Sequence, residues 1–265
     1  MKKIITFLGA GTYEKTIYKY KDLELESRFV QEAISKIVGK DAVFLVALTL
    51  KAKEENWRTK DAAKPGLEDI FRREKIQYKE LDIKDGHNDQ ERWEHFDQIF
   101  QNINEDDEIY ADVTHSFRST PFIIMAVLNY AKFVKNIKIK KIYYGAYIPH
   151  KPTAEIVDLS IFNLLSDWTI AAEKLISIGD CRQVTELIDI TIKPILIGSK
   201  GKDETAKITR NINKDLKAFS NALYTVRGND ISTCAMNLKK SLNELKMIDI
   251  NELKPFEKIL DKMLF

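Results

Sequence analysis

The sequence has 265 residues, of which 44% are hydrophobic and 31% are charged, and its formal net charge is +2. This composition indicates a soluble globular protein, and the near balance of charge argues against a protein that binds long polyanions over its whole surface. Two cysteines cannot form a disulfide framework and no apolar run is long enough to cross a membrane, so we expect a cytoplasmic protein that makes no membrane contact.

The first half of the chain alternates runs typical of strands with runs typical of helices. The predicted strands cover residues 3–8, 41–48, 76–83, 108–113, 137–147 and 155–159. The predicted helices, with apolar residues at i, i+3 and i+4, cover residues 23–38, 67–75, 89–103 and 121–134. Because strands that alternate with helices need crossover connections, this pattern predicts an α/β fold with a mostly parallel, Rossmann-like sheet and helices on both faces.

From about residue 159 onward the pattern predicts an all-α region. The predicted helices cover residues 160–178, 181–190, 205–223, 231–245 and 251–265. A stretch rich in glycine and lysine, GSKGKDE from Gly198, is the best candidate for a linker. We therefore predict an α/β domain over residues 1–158, a helical connector over 159–198 and a further helical region over 199–265.

Two polar loops follow predicted strands, at the edge of the sheet where folds of this class bind ligands. The first loop is formed by Gly9, Ala10, Gly11 and Thr12. Its two glycines fit a dinucleotide-binding fingerprint, but Glu14 stands where the third glycine belongs. The loop is either a turn that needs positive φ at glycine, or a place where backbone N–H groups approach a phosphate or ribose. The pattern leaves both interpretations open.

The second loop lies within DVTHSFRSTP, between Asp112 and Pro121. Thr120 and Pro121 are typical of a helix start, and the dipole at a helix N-terminus favours anions. The candidate anion-binding residues before that helix are Thr114, His115, Ser116, Phe117, Arg118 and Ser119. Alternatively, Asp112 and Arg118 form an ion pair that only braces the turn. We favour bracing for Asp112 and anion binding for the loop as a whole.

Other features allow two interpretations each. The helix over 121–134 is apolar nearly all round, which indicates either burial on every side or an oligomer interface. Trp57, with Arg58, could line the same sheet edge as the two loops, or Trp57 could pack in the core. His87 and His95 have acidic neighbours but no metal-ligand spacing, so we assign them to a solvated helix and expect no metal.

Three features together resemble the CRISPR-associated Rossmann-fold (CARF) sensor domain. They are FLGAGTY after the first strand, a second strand ending in Leu48-Thr49 with Trp57 shortly after, and DVTHSFRS before an apolar helix. More closely, the chain is similar to the ancillary ribonucleases of type III CRISPR systems, in which this sensor precedes a helical HEPN-like ribonuclease domain. The resemblance covers about the first 160 residues well and the helical remainder loosely.

The resemblance implies a homodimer whose paired sensors bind a cyclic oligoadenylate, which we expect to be cyclic tetra-adenylate, and control a helical effector in antiviral defence. Carried over position by position, it assigns ring contacts to Gly9, Ala10, Gly11, Thr12 and the residues from Thr114 to Ser119. A cyclic tetranucleotide is a compact polyanion compatible with two-fold symmetry, so it also fits a site near two helix N-termini.

The helical region departs from this family. The family's ribonuclease domain carries an arginine followed four to six residues later by a histidine, whereas the last histidine here is His150. We therefore expect no RNA cleavage by these residues. The chain is either a sensor with a shortened HEPN-like effector or an N-terminal piece of a longer protein, and we favour the second.

Some sensors of this family also cleave their own ligand slowly without a metal. A ring nuclease of this kind is our alternative function, with His115 as general base and Arg118 stabilising charge on the phosphorane. A dinucleotide-dependent enzyme is disfavoured by the missing third glycine and by the absence of an acidic residue in Leu48-Thr49-Leu50. The near-neutral charge disfavours a nucleic-acid-binding regulator. We expect no cofactor and no direct DNA binding.

Overall fold

The computed structural model describes residues 1–59, 64–115, 120–148, 151–225, 228–244, 250 and 253–263. The chain divides into two compact units, Met1–Ser160 and Ile161–Phe265. Among the described residues, no helix is long and apolar enough to cross a membrane.

The first unit is built on one sheet of eight strands. The strands are β1 (Lys2–Leu8), β2 (Thr16–Tyr20), β3 (Leu23–Ser27), β4 (Val43–Leu48), β5 (Gln77–Asp82), β6 (Glu108–Asp112), β7 (Lys138–Ala146) and β8 (Thr153–Asp158). Their order across the sheet is β3-β2-β8-β7-β6-β1-β4-β5. Only the β2–β3 and β7–β8 pairs are antiparallel, so the predicted mostly parallel sheet is confirmed.

Helices cover both faces of this sheet. They are α1 (Val30–Val38), α2 (Leu50–Ala52), which a π-helical turn (Lys53–Trp57) continues, α3 (Leu67–Glu74), α4 (Asp89–Gln101) and α5 (Thr120–Lys135). Alternate residues of β1 belong to different cores: Ile4 packs in the cluster that includes residues of α1 and α3, and Ile5 in the cluster that includes residues of α4 and α5. Continuously apolar strands are expected where both faces of a parallel sheet are buried.

One predicted helix of the first unit begins too early. Residues 23–27 form β3, which pairs with β2 in a hairpin, and α1 begins only at Val30. The segment alternates Leu23 and Leu25 with glutamates, which is the period of a strand. The hairpin extends the sheet beyond β8, because β2 pairs with that strand in parallel.

The second unit consists of helices, as predicted. They are α6 (Ile161–Ile178), α7 (Arg182–Gly198), α8 (Glu204–Tyr224), α9 (Gly228–Glu244) and α10 (Lys254–Met263). Ile188 and Ile192 of α7 share one buried cluster with Ile212 and Leu216 of α8. Most of the predicted connector, residues 159–198, is formed by α6 and α7, and these two helices belong to the same compact unit as the helices that follow.

Candidate ligand-binding site at the switch point of the sheet

The strand order reverses at β1, which lies between β4 on one side and β6 on the other. Since these three strands are parallel, the loops that follow them meet at one edge of the sheet. A cavity of about 700 Å³ opens there. It is lined by Phe7, Leu8, Gly9, Ala10, Gly11, Tyr13, Thr49, Lys51, Ile83, Asp85, His87, Thr114 and His115.

The structure brings most of the described candidate residues into this cavity. Gly9, Ala10, Gly11, Thr114 and His115 all line it. Thr12 lines an adjoining cavity of about 250 Å³, which Thr114 and His115 also border. The remaining predicted contacts lie outside the described residues; they are Ser116, Phe117, Arg118 and Ser119.

The glycine loop is held by side chains from elsewhere in the unit. The Asn56 amide donates to the carbonyl oxygens of Gly9 (2.9 Å) and Gly11 (2.8 Å), and the Gly9 N–H donates to the Tyr13 hydroxyl (2.9 Å). Neither glycine has positive φ, so the interpretation of this loop as a turn that needs positive φ is wrong.

The two glycines differ in what surrounds them. A Cβ atom added at Gly9 would lie 3.0 Å from the Tyr13 hydroxyl oxygen, whereas a Cβ added at Gly11 would meet no heavy atom of the described chain within 4 Å. Packing against the described residues therefore does not explain a glycine at position 11. The backbone there is open to close approach by another molecule.

The buried side chain of Asp112 holds the start of the second loop in place. Its carboxylate is fully buried and accepts hydrogen bonds from Thr6 Oγ1 (2.6 Å) and the Thr114 N–H (3.0 Å). Gln31 donates in turn to Thr6 Oγ1 (3.0 Å). Burial raises the pKa of Asp112. Asp112 thus braces the ends of β1 and β6, which is the structural role predicted for this residue. The contacts are made with Thr6 and Thr114. The expected partner, Arg118, lies outside the described residues.

Thr114 has a structural contact of its own. Its hydroxyl oxygen accepts a hydrogen bond from the Gly145 N–H (2.8 Å), which ties the loop to β7. The same hydroxyl also hydrogen-bonds the Asp112 carboxylate, so both of its contacts hold the loop in place.

His115 packs edge-on against Tyr13, with ring centroids 4.4 Å apart and an interplanar angle of 75°. Its Nε2 is buried and has no hydrogen-bond partner among the described residues. Burial lowers the pKa of His115 to about 4 and raises that of Tyr13 to about 12. Both side chains are therefore neutral near pH 7. They border both cavities, so together they form a wall between them.

Sequence reasoning missed three ionisable residues of the cavity, namely Lys51, Asp85 and His87. Lys51 follows β4 and the other two follow β5. The rule that pointed to the loops after β1 and β6 applies equally to these strands, because their carboxyl ends lie at the same edge. The acidic sequence around His87 instead suggested a solvated helix.

Trp57 belongs to the core. Its side chain is fully buried, with its ring centroid 5.9 Å from that of Phe71 and 5.2 Å from that of Tyr78. Arg58 forms an ion pair with Glu68 (2.9 Å). Packing is thus the correct interpretation for Trp57, and neither residue lines the 700 Å³ cavity.

The apolar helix after the second loop is buried on one side only. Ile124, Val127, Leu128 and Ala131 of α5 are fully buried. Its other side presents Phe122, Tyr130 and Phe133, which are 79%, 51% and 88% exposed. Tyr130 also packs against Phe96 and Phe100 of α4, with ring centroids 5.6 and 5.2 Å apart. Within the first unit, the described residues leave Phe122 and Phe133 largely uncovered, and an oligomer interface at this face stays a prediction.

Comparison with known proteins matches both units. The family described as the CARF domain of the CRISPR system endoribonuclease Csx1 matches residues 3–149, and the family described as the second domain of CRISPR-associated protein MJ1674 matches residues 164–264. CRISPR-associated protein MJ1674 of Methanocaldococcus jannaschii is 31% identical to this chain over 187 residues. The aligned part is 68% of this chain and 27% of that protein, so the chain spans about a quarter of its relative.

The first of these matches covers more than half of the chain, including every strand from β1 to β7 and both loops of the cavity. The mostly parallel sheet and the position of the cavity agree with it. The chain belongs to the CRISPR-associated proteins that carry a CARF domain of the Csx1 type.

Proposed function

We propose that this chain is a sensor of type III CRISPR antiviral defence that binds a cyclic oligoadenylate, with cyclic tetra-adenylate as the expected ring. The observation that carries the proposal is the 700 Å³ cavity at the switch point, bounded by the glycine loop and the loop after β6. The ring contacts we propose are those predicted from the sequence, from Gly9 to Thr12 and from Thr114 to Ser119.

The volume and lining of the cavity support a shared ligand. A cavity of this volume suits one drug-sized molecule, and a cyclic tetranucleotide is larger. A ring would therefore bind across two copies of the cavity, as a two-fold dimer allows. Lys51 lines the cavity and supplies one positive charge, and Arg118 is the proposed second. Gly11 leaves space for a ribose or phosphate beside its backbone.

The aromatic face of α5, formed by Phe122, Tyr130 and Phe133, supports the homodimer. Its first residue, Phe122, is three positions after Ser119, the last proposed ring contact. A two-fold axis beside this face would bring both copies of the loop together. We propose that ring binding across this axis changes the conformation of the helical unit, which belongs to a HEPN-like effector. We also propose that the protein is cytoplasmic.

A thermal-shift panel of cyclic tri-, tetra- and hexa-adenylate tests the proposal. A ligand at one hundred times its Kd stabilises the folded state by about 2.7 kcal/mol, so the melting temperature rises. We expect the largest rise with cyclic tetra-adenylate, and no rise with linear tetra-adenylate or NAD as controls. Unchanged melting with all three rings would contradict the proposal.

Cleavage of the bound ring is the second candidate function. The observation that favours it is the presence of Lys51, Asp85 and His87 in the same cavity. A cation and a proton acceptor beside a phosphodiester are the groups that metal-independent transesterification requires. The sequence motif proposes His115 as the general base of this reaction and Arg118 as the group that stabilises charge on the phosphorane.

A further inference from the structure

The loop between β5 and α4 is fixed at two points. The Glu91 carboxylate accepts hydrogen bonds from the N–H groups of Gly86 and His87, both at 2.9 Å. His95 is buried, and its Nε2 lies 2.7 Å from the Lys84 carbonyl oxygen. His95 is therefore a structural residue and not part of a solvated helix face as predicted. A loop held in this way gives its exposed side chains defined positions.

Two of those side chains form a pair that faces the cavity. His87 Nε2 lies 3.8 Å from Asp85 Oδ2, and both residues line the 700 Å³ cavity beside the glycine loop and His115. The His87 side chain is 79% exposed and that of Asp85 is 53% exposed. A carboxylate at this distance orients the imidazole ring and leaves it open to a ligand in the cavity.

The other charged groups near the pair have separate contacts. Lys84 forms an ion pair with Glu94 (2.9 Å), and the Glu91 carboxylate is taken up by backbone N–H groups. Lys51 lines the same cavity, and Glu54 lines the adjoining one of about 450 Å³, which the pair also borders. Glu91 also lies beside His87, but Asp85 is the carboxylate that lines the 700 Å³ cavity together with the His87 ring, and Lys51 is the described cation that lines it.

His115 is less suited to accept a proton near neutral pH. Burial holds its pKa at about 4, and its ring is packed edge-on against Tyr13. A general base is most efficient when its pKa lies near the working pH. The ring of His87 has no such packing among the described residues and faces solvent.

We propose that His87 is the acid–base group of ring cleavage, that Asp85 is its positioning residue, and that Lys51 binds the phosphate whose bond breaks. This inference rests on the proposed binding of a cyclic oligoadenylate. His87 takes the proton of a ribose 2′-OH, and the 2′-oxygen attacks the adjacent phosphorus. The bond from phosphorus to O5′ breaks, and the imidazolium returns the proton to O5′. The products are a 2′,3′-cyclic phosphate and a free 5′-OH, so the step consumes no oxidant, reductant or water.

The test measures binding and cleavage separately on the full chain. Affinity for labelled cyclic tetra-adenylate is measured at low temperature, and single-turnover cleavage is followed in EDTA. We expect His87→Asn to slow cleavage by about 100-fold or more with a Kd within about threefold of wild type. Imidazole in solution should restore part of the rate of His87→Gly, since the site is open to solvent.

Asp85→Asn tests the positioning role by separating cleavage from binding. Without the carboxylate that orients the His87 ring, the single-turnover rate should fall by about tenfold while the Kd stays within about threefold of wild type. Lys51→Ala should weaken binding and slow cleavage. Asp89→Asn, a change at an exposed carboxylate of α4 that does not line the cavity, is the matched control and should leave both quantities unchanged.

The outcomes separate this inference from the proposed function. The inference would be overturned if the wild-type protein binds the ring without cleaving it, or if His87→Asn cleaves at the wild-type rate. Neither result would contradict the proposed binding of the ring. Wild-type protein that binds no ring would overturn the proposed function and the inference with it. A loss of cleavage in His87→Gly that imidazole does not restore and that accompanies a lowered melting temperature would also count against a catalytic role.

Discussion

Single residues at the switch point divide into those that hold the loops and those left free for a ligand. The loops are held by hydrogen bonds with the side chains of Asn56, Thr6 and Asp112. Gly11 and Lys51 have space or charge that faces the cavity. The sequence pattern predicts Gly11 and Asp112 at this edge, whereas the roles of Asn56, Thr6 and Lys51 are seen only in the contacts of the folded chain.

Gly11 gives a direct test of close approach. Gly11→Val should fold with nearly wild-type stability, because a Cβ there meets no described atom within 4 Å. Ring affinity should fall by about tenfold or more, since over-packing a fitted site costs about 1–3 kcal/mol. Titration by calorimetry measures this change. Gly198→Val, at another glycine with open surroundings and in the second unit, is the control and should leave affinity unchanged. A Gly11→Val variant that binds like wild type would exclude ligand contact at this loop.

His115 makes stability depend on pH in a defined direction. Its pKa is lowered in the folded protein from the usual 6.5 to about 4. Its contribution is therefore fully present above pH 6.5 and is lost as the pH falls toward 4, because the unfolded chain takes up the proton first. The lowered pKa corresponds to about 3 kcal/mol.

The replacement His115→Phe isolates this effect from that of the carboxylates. Phenylalanine retains an aromatic edge against Tyr13 but takes up no proton. Between pH 7 and pH 4, the free energy of unfolding measured with urea should fall by about 3 kcal/mol less in the variant than in wild type. The same loss in both proteins would mean that the His115 ring is protonated in the folded state.

At the scale of elements, the sequence predicts the parallel sheet well because apolar strands and amphipathic helices differ in period. It fails at the β2–β3 hairpin for a physical reason. Leu25, Phe29 and Ala33 recur every four residues across the end of β3 and the start of α1, so a helical pattern continues through a strand. Only the pairing with β8, distant in sequence, reveals the strand.

The candidate site was predictable to the extent that it follows strand ends. The glycine loop and the loop after β6 were found in this way. Asp85 and His87 were missed because their acidic surroundings are typical of an exposed helix start, and because the contacts that hold their loop come from Glu91 and His95 of α4. Such contacts depend on tertiary structure and leave no periodic signal.

At the scale of the whole molecule, the proposed sensor needs two copies of the chain. The face of α5 formed by Phe122, Tyr130 and Phe133 leaves the Phe122 and Phe133 rings largely exposed, which is unfavourable on a monomer in water. Pairing this face with its copy would bury those rings. It would also place two cavities beside one axis, as a single ring ligand requires.

The double replacement Phe122→Glu and Phe133→Glu should therefore separate the copies while each chain stays folded, because both side chains point away from the core. Light scattering should give the mass of a dimer for wild type and of one chain, 30.7 kDa, for the variant. Ring affinity should fall in parallel, since each separated cavity keeps half of the contacts.

Ile190→Glu, at an exposed apolar residue of α7, is the control and should remain dimeric. A variant that is monomeric yet binds the ring like wild type would show that one cavity suffices, and a variant that remains dimeric would place the interface elsewhere.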